Sequence, residues 1–191
     1  NLWIGFCQKR RFWLQSKNSS NNLLSKVPSN WKNYNAVICK KINLGKPKLS
    51  KLFKRGWKNI IQKPSILYLD RNYNIELHFD LFHGFRNLQK AAELVKKEDR
   101  DEFIEYIKKN RSFNPHIMCV AKPKILKLWF EDLFPWLKRC EAIFGFKDLK
   151  GYDTTRLYAY LAERYHSFWF KKYSNYVEWP YKFIDTEKIK N

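Results

Sequence analysis

Apolar residues change their period partway along this chain, and that change limits what it can fold into. Up to Leu69 they come in short runs, Leu2 to Cys7, Ala36 to Cys39 and Ser65 to Leu69, which read as strands. The first of these is expected to be a buried strand. Beyond Asp70 they recur at helical spacing: Leu88, Ala91, Ala92 and Val95 form one stripe, and Phe103, Ile104 and Ile107 another. Asp99 and Asp101 fall in the first turn of that second helix, where the dipole favours acids. Asn114 to Val120 returns to strand character. Pro123 opens a further helix through Leu126, Phe130 and Leu133, which Pro135 should kink or restart. Asp153 or Thr154 should cap a long helix carrying Leu157, Leu161, Tyr165 and Phe168. Tyr176 to Ile184, broken by Pro180, reads as an edge piece. The order β, β, β, α, α, β, α, α, β predicts an α/β domain, helices over a mixed sheet. At 191 residues the chain suits one domain, 1–191.

Charge is distributed as unevenly as pattern. The first 69 residues hold 15 Lys plus Arg and no acid, while the whole chain carries +20. That third of the chain can therefore supply neither carboxylate chemistry nor carboxylate metal ligands. It favours an anionic partner: a nucleotide phosphate, an anionic bilayer surface or a nucleic acid. Lys outnumbers Arg 28 to 10, and Asn, Ile, Phe and Tyr are frequent, as an A/T-rich genome would produce without any partner. Such drift does not explain the missing acids. Hydrophobic content of 45% excludes intrinsic disorder, and no apolar run is long enough to span a membrane. Residues 15–35 read as a Ser- and Asn-rich loop, and 43–64 as a basic loop. Cys7, Cys39, Cys119 and Cys140 are widely spaced in apolar contexts and are expected to be buried reduced thiols. The chain opens at Asn1 and its single methionine is Met118, so an upstream segment is expected.

Four local patterns could carry chemistry. Arg10 and Arg11 follow the first strand, where a guanidinium pair can grip a diphosphate; a solvated basic turn is the plain alternative. His78, Asp80 and His83 lie just ahead of a helix, placed for acid–base work or as ordinary half-buried side chains. Asn114 and His116 enter an apolar strand, and an amide there can read a sugar or base edge. Arg156, Tyr160 and Glu163 share a helical face beside Arg164, as a sugar-binding set or as a surface ion pair. Asp99-Arg100-Asp101 formally spells D-x-D, but it lies in a helix start rather than a loop after a buried strand. His116 and Cys119 supply one loose pair, too little for a zinc site.

These pieces, in this order, resemble a bacterial family of glycosyltransferase-like domains found in capsule, exopolysaccharide and O-antigen clusters. Ile4-Gly5-Phe6-Cys7-Gln8-Lys9-Arg10-Arg11-Phe12 resembles the family's (I/V)-G-(L/F)-C-H-Y-R-R-(Y/F) strand, with Gln8-Lys9 in place of His-Tyr. Tyr34 to Lys40 is similar to a Y-D-I-I-L-P-K strand, with Asn35 in place of Asp. His78 to His83 resembles a Q-Y-x-x-x-H segment, Phe113 to Met118 an F-N-x-x-I-M strand, and Arg156 to Arg164 an R-x-x-(G/A)-(F/Y)-L-(A/S)-E-R helix.

The resemblance implies a GT-A-like, nucleotide-diphospho-sugar fold, here without the first N-terminal strand of the nucleotide-binding half. It implies transfer of a sugar from a nucleotide-sugar donor, a UDP-sugar first, to a growing surface polysaccharide or lipid-linked glycan. Arg10, Arg11, Asn114, Arg156, Tyr160 and Arg164 become donor- or substrate-binding candidates, and Asp80, His83 and Glu163 catalytic ones. No metal ligand is assigned, and a divalent-metal requirement is left open. The expected location is cytoplasmic, with an anionic inner-membrane surface as a further partner. A basic nucleic-acid-binding module is the rival from another class, although no RNA- or DNA-binding motif appears. A degenerate, non-catalytic member of the same fold is a third reading.

Overall fold

A computed structural model describes residues 2–18, 21–45, 61, 73–147 and 149–185. Its centre is a four-stranded sheet in the order β1 (Ile4–Phe6), β6 (Cys119–Ala121), β3 (Ala36–Cys39), β7 (Tyr176–Trp179). β6 is antiparallel to both β1 and β3, whereas β7 runs parallel to β3. The sheet is therefore mixed. Two ribbons flank it, β2 (Arg11–Trp13) with β8 (Tyr181–Phe183), and β4 (Ile42–Asn43) with β5 (Ser112–Phe113).

Alternation along the strands feeds two different cores. Ala36, Ile38, Cys119 and Ala121 face the helices α1 (Ile75–His83), α2 (Asn87–Glu93), α3 (Lys97–Lys109), α4 (Pro123–Phe144) and α6 (Leu157–Tyr173). The expected stripe Leu88, Ala91, Ala92 and Val95 is buried there with Phe103 and Ile107. Trp136 joins the layers by donating its indole N–H to Ala91 O at 2.7 Å. On the opposite face Val37, Cys39, Met118, Val120, Val177 and Trp179 pack under Trp13 and Trp31. That face is covered by β2 and the segment after it, whose short 3-10 helix Ser29–Trp31 supplies Trp31.

Several expectations need correction. β1 is exposed rather than buried: among the described residues it pairs only with β6, and Ile4 is 39% exposed and Phe6 41%. Cys7, at its end, is consequently exposed, while Cys39, Cys119 and Cys140 are buried free thiols. Asn114 to Val120 is not continuous strand: β5 ends at Phe113 and β6 begins at Cys119, with His116 at φ 67° between them. Pro135 does not restart the helix: α4 continues through it. It lies on the exposed face, where water can take the carbonyl that its missing N–H leaves over. α3 starts at Lys97, so its first turn holds Glu98 and Asp99, with Asp101 beyond it. Residues 152–155 form their own short turn, α5 (Tyr152–Thr155), and α6 starts after Arg156 without a side-chain cap. Ser65 to Leu69, and residues 46–60 and 62–64 of the basic segment, lie outside the described residues. No described helix is long and apolar enough to cross a membrane.

Candidate functional site

β1, β3 and β7 share one direction, so their carboxyl ends and the start of β6 meet along one edge of the sheet. Open α/β sheets bind ligands beyond such an edge. Four of the sequence patterns converge there.

The first is the turn after β1. Arg10 takes a left-handed φ of 66°, and Arg11 N–H closes the turn on Gln8 O at 3.0 Å. The reversal leaves both guanidinium groups over the Phe183 ring, 5.4 Å (Arg10) and 5.6 Å (Arg11) from its centroid. Arg10 pairs with Asp185 at 3.8 Å on the outer side. Arg11 opens β2, and its positive charge is felt by both His116 and Tyr181.

The second pattern is the bend between β5 and β6. Asn114 is fully buried and donates both amide hydrogens, to Cys39 O at 2.7 Å and to Glu178 Oε1 at 3.0 Å. Its Oδ1 accepts from the Ser167 hydroxyl at 2.8 Å, and its N–H donates back to Ser167 Oγ at 2.9 Å. Asn114 thus ties β3, β7 and α6 together. Two residues on, His116 is fixed in its left-handed conformation from both sides. Its N–H donates to Glu163 Oε1 at 2.5 Å, and its Nε2 lies 3.1 Å from the Tyr181 hydroxyl. Burial first, and Arg11 second, push the His116 pKa down to about 4, so the ring is neutral at pH 7.

α6 brings the third pattern. Glu163 pairs with its neighbour Arg164 rather than with Arg156, and the pair is not on the surface, since Arg164 is 2% exposed. Arg164 lies 4.3 Å above the Phe113 ring and donates to Tyr160 O at 3.3 Å. Its Nη2 is 3.4 Å from His78 Nδ1. Burial pulls its pKa below the usual value, with Glu163 as the strongest opposing influence. One turn earlier, Tyr160 stacks on His83 with centroids 3.8 Å apart, and the Arg156 guanidinium lies 5.3 Å from the same ring. Imidazole and guanidinium thus both lie against the Tyr160 ring.

The fourth pattern divides. His78 and His83 reach the cluster from α1, but Asp80 turns away and accepts the Arg86 N–H at 2.9 Å. That bond holds the reversal after α1, where Gly84 has φ 105° and a Cβ would lie 2.2 Å from Asn87 Nδ2. Arg11, Glu163 and Arg164 thus gather about the His116 bend, and His83 and Arg156 lie against Tyr160 beside them. Arg10 shares the Phe183 ring with Arg11, and Asp80 serves the turn after α1. Among the described residues no three His, Cys, Asp or Glu side chains come together to hold a metal ion.

Sequence reasoning passed over Ser167, Glu178 and Tyr181. Ser167 lies four residues after Glu163, on the face already marked by Tyr160 and Glu163, so helical spacing could have found it. Tyr181 and Glu178 had no local signal, because each meets its partner across more than sixty residues of chain.

Among curated proteins none matches this chain. Among solved structures it is similar to an apo structure of WbbM, a bifunctional glycosyltransferase, at a TM-score of 0.66 and 13% identity. The likeness covers 96% of this chain and 34% of that one, so this chain spans about a third of that protein's length. The likeness establishes a glycosyltransferase-like α/β fold. A family model described as a domain of unknown function, DUF4422, matches residues 2–175, nearly the whole chain, and to that family the chain belongs.

Proposed function

We propose that the chain transfers a sugar from a nucleotide-sugar donor, a UDP-sugar first, to a glycan acceptor at the carboxyl edge of the sheet. The observation that carries this reading is the meeting of the Arg11 charge with the Glu163–Arg164 pair around His116. In such a transfer the bond from the anomeric carbon to the diphosphate oxygen breaks. A bond to the acceptor oxygen forms, and the acceptor proton leaves to a base. Negative charge grows on the departing diphosphate, so a guanidinium held ready before the reaction lowers the barrier. Arg11 takes that role, with Arg10 one residue away as an outer contact. Arg156 and Tyr160 offer a cationic and aromatic surface to the donor's base or sugar. Glu163 and Arg164 shape the pocket and orient hydroxyls. Asn114 acts through the strands that it joins. Of the two candidate bases, His83 is assigned, because an oxygen of Asp80 already accepts from Arg86. The setting proposed is the cytoplasmic face of the inner membrane, where lipid-linked acceptors are built.

Thermal unfolding with UDP and a panel of UDP-sugars tests this. At saturating ligand the wild-type melting temperature should rise, because only the folded chain binds. Arg11→Ala should remove the rise while leaving the unliganded melting point close to wild type. No rise with any nucleotide, or an unchanged rise in Arg11→Ala, would overturn the reading.

A further inference from the structure

The face of the sheet away from the helices carries a surface that the transfer chemistry does not use. Two adjoining cavities, of about 330 and 580 Å³, lie on either side of Val27, Pro28, Ser29 and Lys32, which line both. Trp3 and Lys122 complete the first, and Lys26 and Trp179 are among those completing the second. Three lysines thus rim the pair, and no lining residue is acidic. Apolar groups stand between the charges: Val27 is 49% exposed, and half-buried Trp3 lines the first cavity with it. The surface is built in advance. Gln15 donates to Lys26 O at 3.0 Å and accepts the Ser25 N–H at 2.9 Å, which fixes the loop bearing Lys26 and Val27. Trp31 is packed at 5.6 Å from Trp3 and 5.3 Å from Trp179, forming a rigid floor.

We infer that this face docks on an anionic phospholipid surface, with Lys26, Lys32 and Lys122 against headgroups and Trp3 and Val27 at the interface. Lysine stems lie along apolar surface while their ammonium groups reach phosphates, and Trp favours the boundary between headgroups and chains. The charge complementarity is one-sided, since the chain has no acid before Asp70 to repel such a surface. A single-stranded nucleic acid fits less well, because its bases need open ring faces to stack on. Here Trp13, Trp31 and Trp179 are buried, and the Trp3 ring has Lys122 Nζ at 4.2 Å. The face also leads to the site. Lys17 lies 5.7 Å from the Trp179 ring and, with Lys40, Glu178 and Pro180, lines a third cavity at the carboxyl ends of β3 and β7. Docking would present the site to acceptors anchored in the same leaflet, a step that rests on the sugar-transfer reading; the docking itself does not.

Co-sedimentation with lipid vesicles decides it. The chain should pellet with phosphatidylcholine vesicles holding about one-third phosphatidylglycerol, not with phosphatidylcholine alone, and should be released as salt rises. Lys26→Glu with Lys32→Glu should cut the bound fraction at least tenfold, and Val27→Ser should weaken it less. The charge-reversed chain should keep its circular dichroism and its response to UDP, which separates failure of docking from failure of the transfer reading. Equal binding to neutral vesicles, no binding to anionic ones, unchanged binding of the double variant, or displacement by equimolar single-stranded RNA would each overturn the inference.

Discussion

Two carboxylates bear on α6, Asp99 from a neighbouring helix and Glu163 as one of its own residues, and they are used differently. Asp99, from α3, is fully buried. Lys172 approaches it at 3.0 Å, Lys96 at 3.5 Å and the Tyr165 hydroxyl at 3.4 Å, and Tyr173 donates to it as well. Those lysines are shared in turn with Glu102 and Asp132, each at 2.7 Å, and Trp169 donates to Asp132. Burial alone would lower the Lys172 pKa, but its bonds to Glu102 and Asp99 raise it instead. The network closes on itself and joins α3, α4 and α6. Glu163 has a buried cation too, Arg164, but it lies at the sheet edge and keeps 15% of its side chain exposed. Its other partner is a backbone N–H in a strained bend, and Arg11 and Tyr181 lie beyond. A carboxylate enclosed by cations and phenols stabilises the fold. One that holds a bend at a strand edge leaves its neighbours able to meet a ligand.

Substitutions should separate the two. The largest effect is expected at the closed network, where Asp99→Asn leaves two lysines facing a neutral amide. Urea unfolding should show a loss of about 3 kcal/mol, on the low side for a broken buried pair because both lysines keep some water. The response to UDP should survive. If nucleotide binding disappears while stability holds, the two regions are not distinct in role.

Glu163→Gln should give an intermediate effect of a different kind. The amide preserves shape but takes the counter-charge from buried Arg164, so some stability is lost, about 2 kcal/mol. Hydrolysis of the donor that most raises the wild-type melting point should fall about tenfold or more, equivalent to about 1.4 kcal/mol. Stability loss with full hydrolysis would reduce Glu163 to scaffolding and move attention to His83.

The smallest change is expected for the same chemistry in open water. Glu131 and Lys127 pair at 3.8 Å on the exposed face of α4. Glu131→Gln should shift unfolding by no more than about 0.5 kcal/mol and leave the UDP response unchanged. A larger shift would mean that pairing alone, rather than enclosure, sets the energy.

Much of this organisation was legible along the chain. The stripe from Leu88 to Val95, Pro123 at a helix start and the strand Ala36 to Cys39 all follow from local periodicity and backbone chemistry, and all are found. The face shared by Arg156, Tyr160 and Glu163 was equally visible, because helical spacing places residues four and seven apart together. The burial of the first strand was not legible. Leu2 to Cys7 is as apolar as Ala36 to Cys39, but it lies at the edge of the described sheet and β3 in its interior. Nor could the text of the chain say that Glu163 would choose Arg164 over Arg156, since both lie within reach on one helix. That choice depends on Phe113 and His78 closing over Arg164 from other elements.

Periodicity and charge are properties of neighbours along the chain, so the α/β class, the acid-free basic third and the residues sharing each helical face could be read from it directly. Packing was needed to bring Arg10 and Arg11 onto the Phe183 ring, and to lock His116 between Glu163 and Tyr181. Each of those outcomes depends on a contact between distant segments, and the geometry of such a contact does not exist until the sheet and α6 have packed.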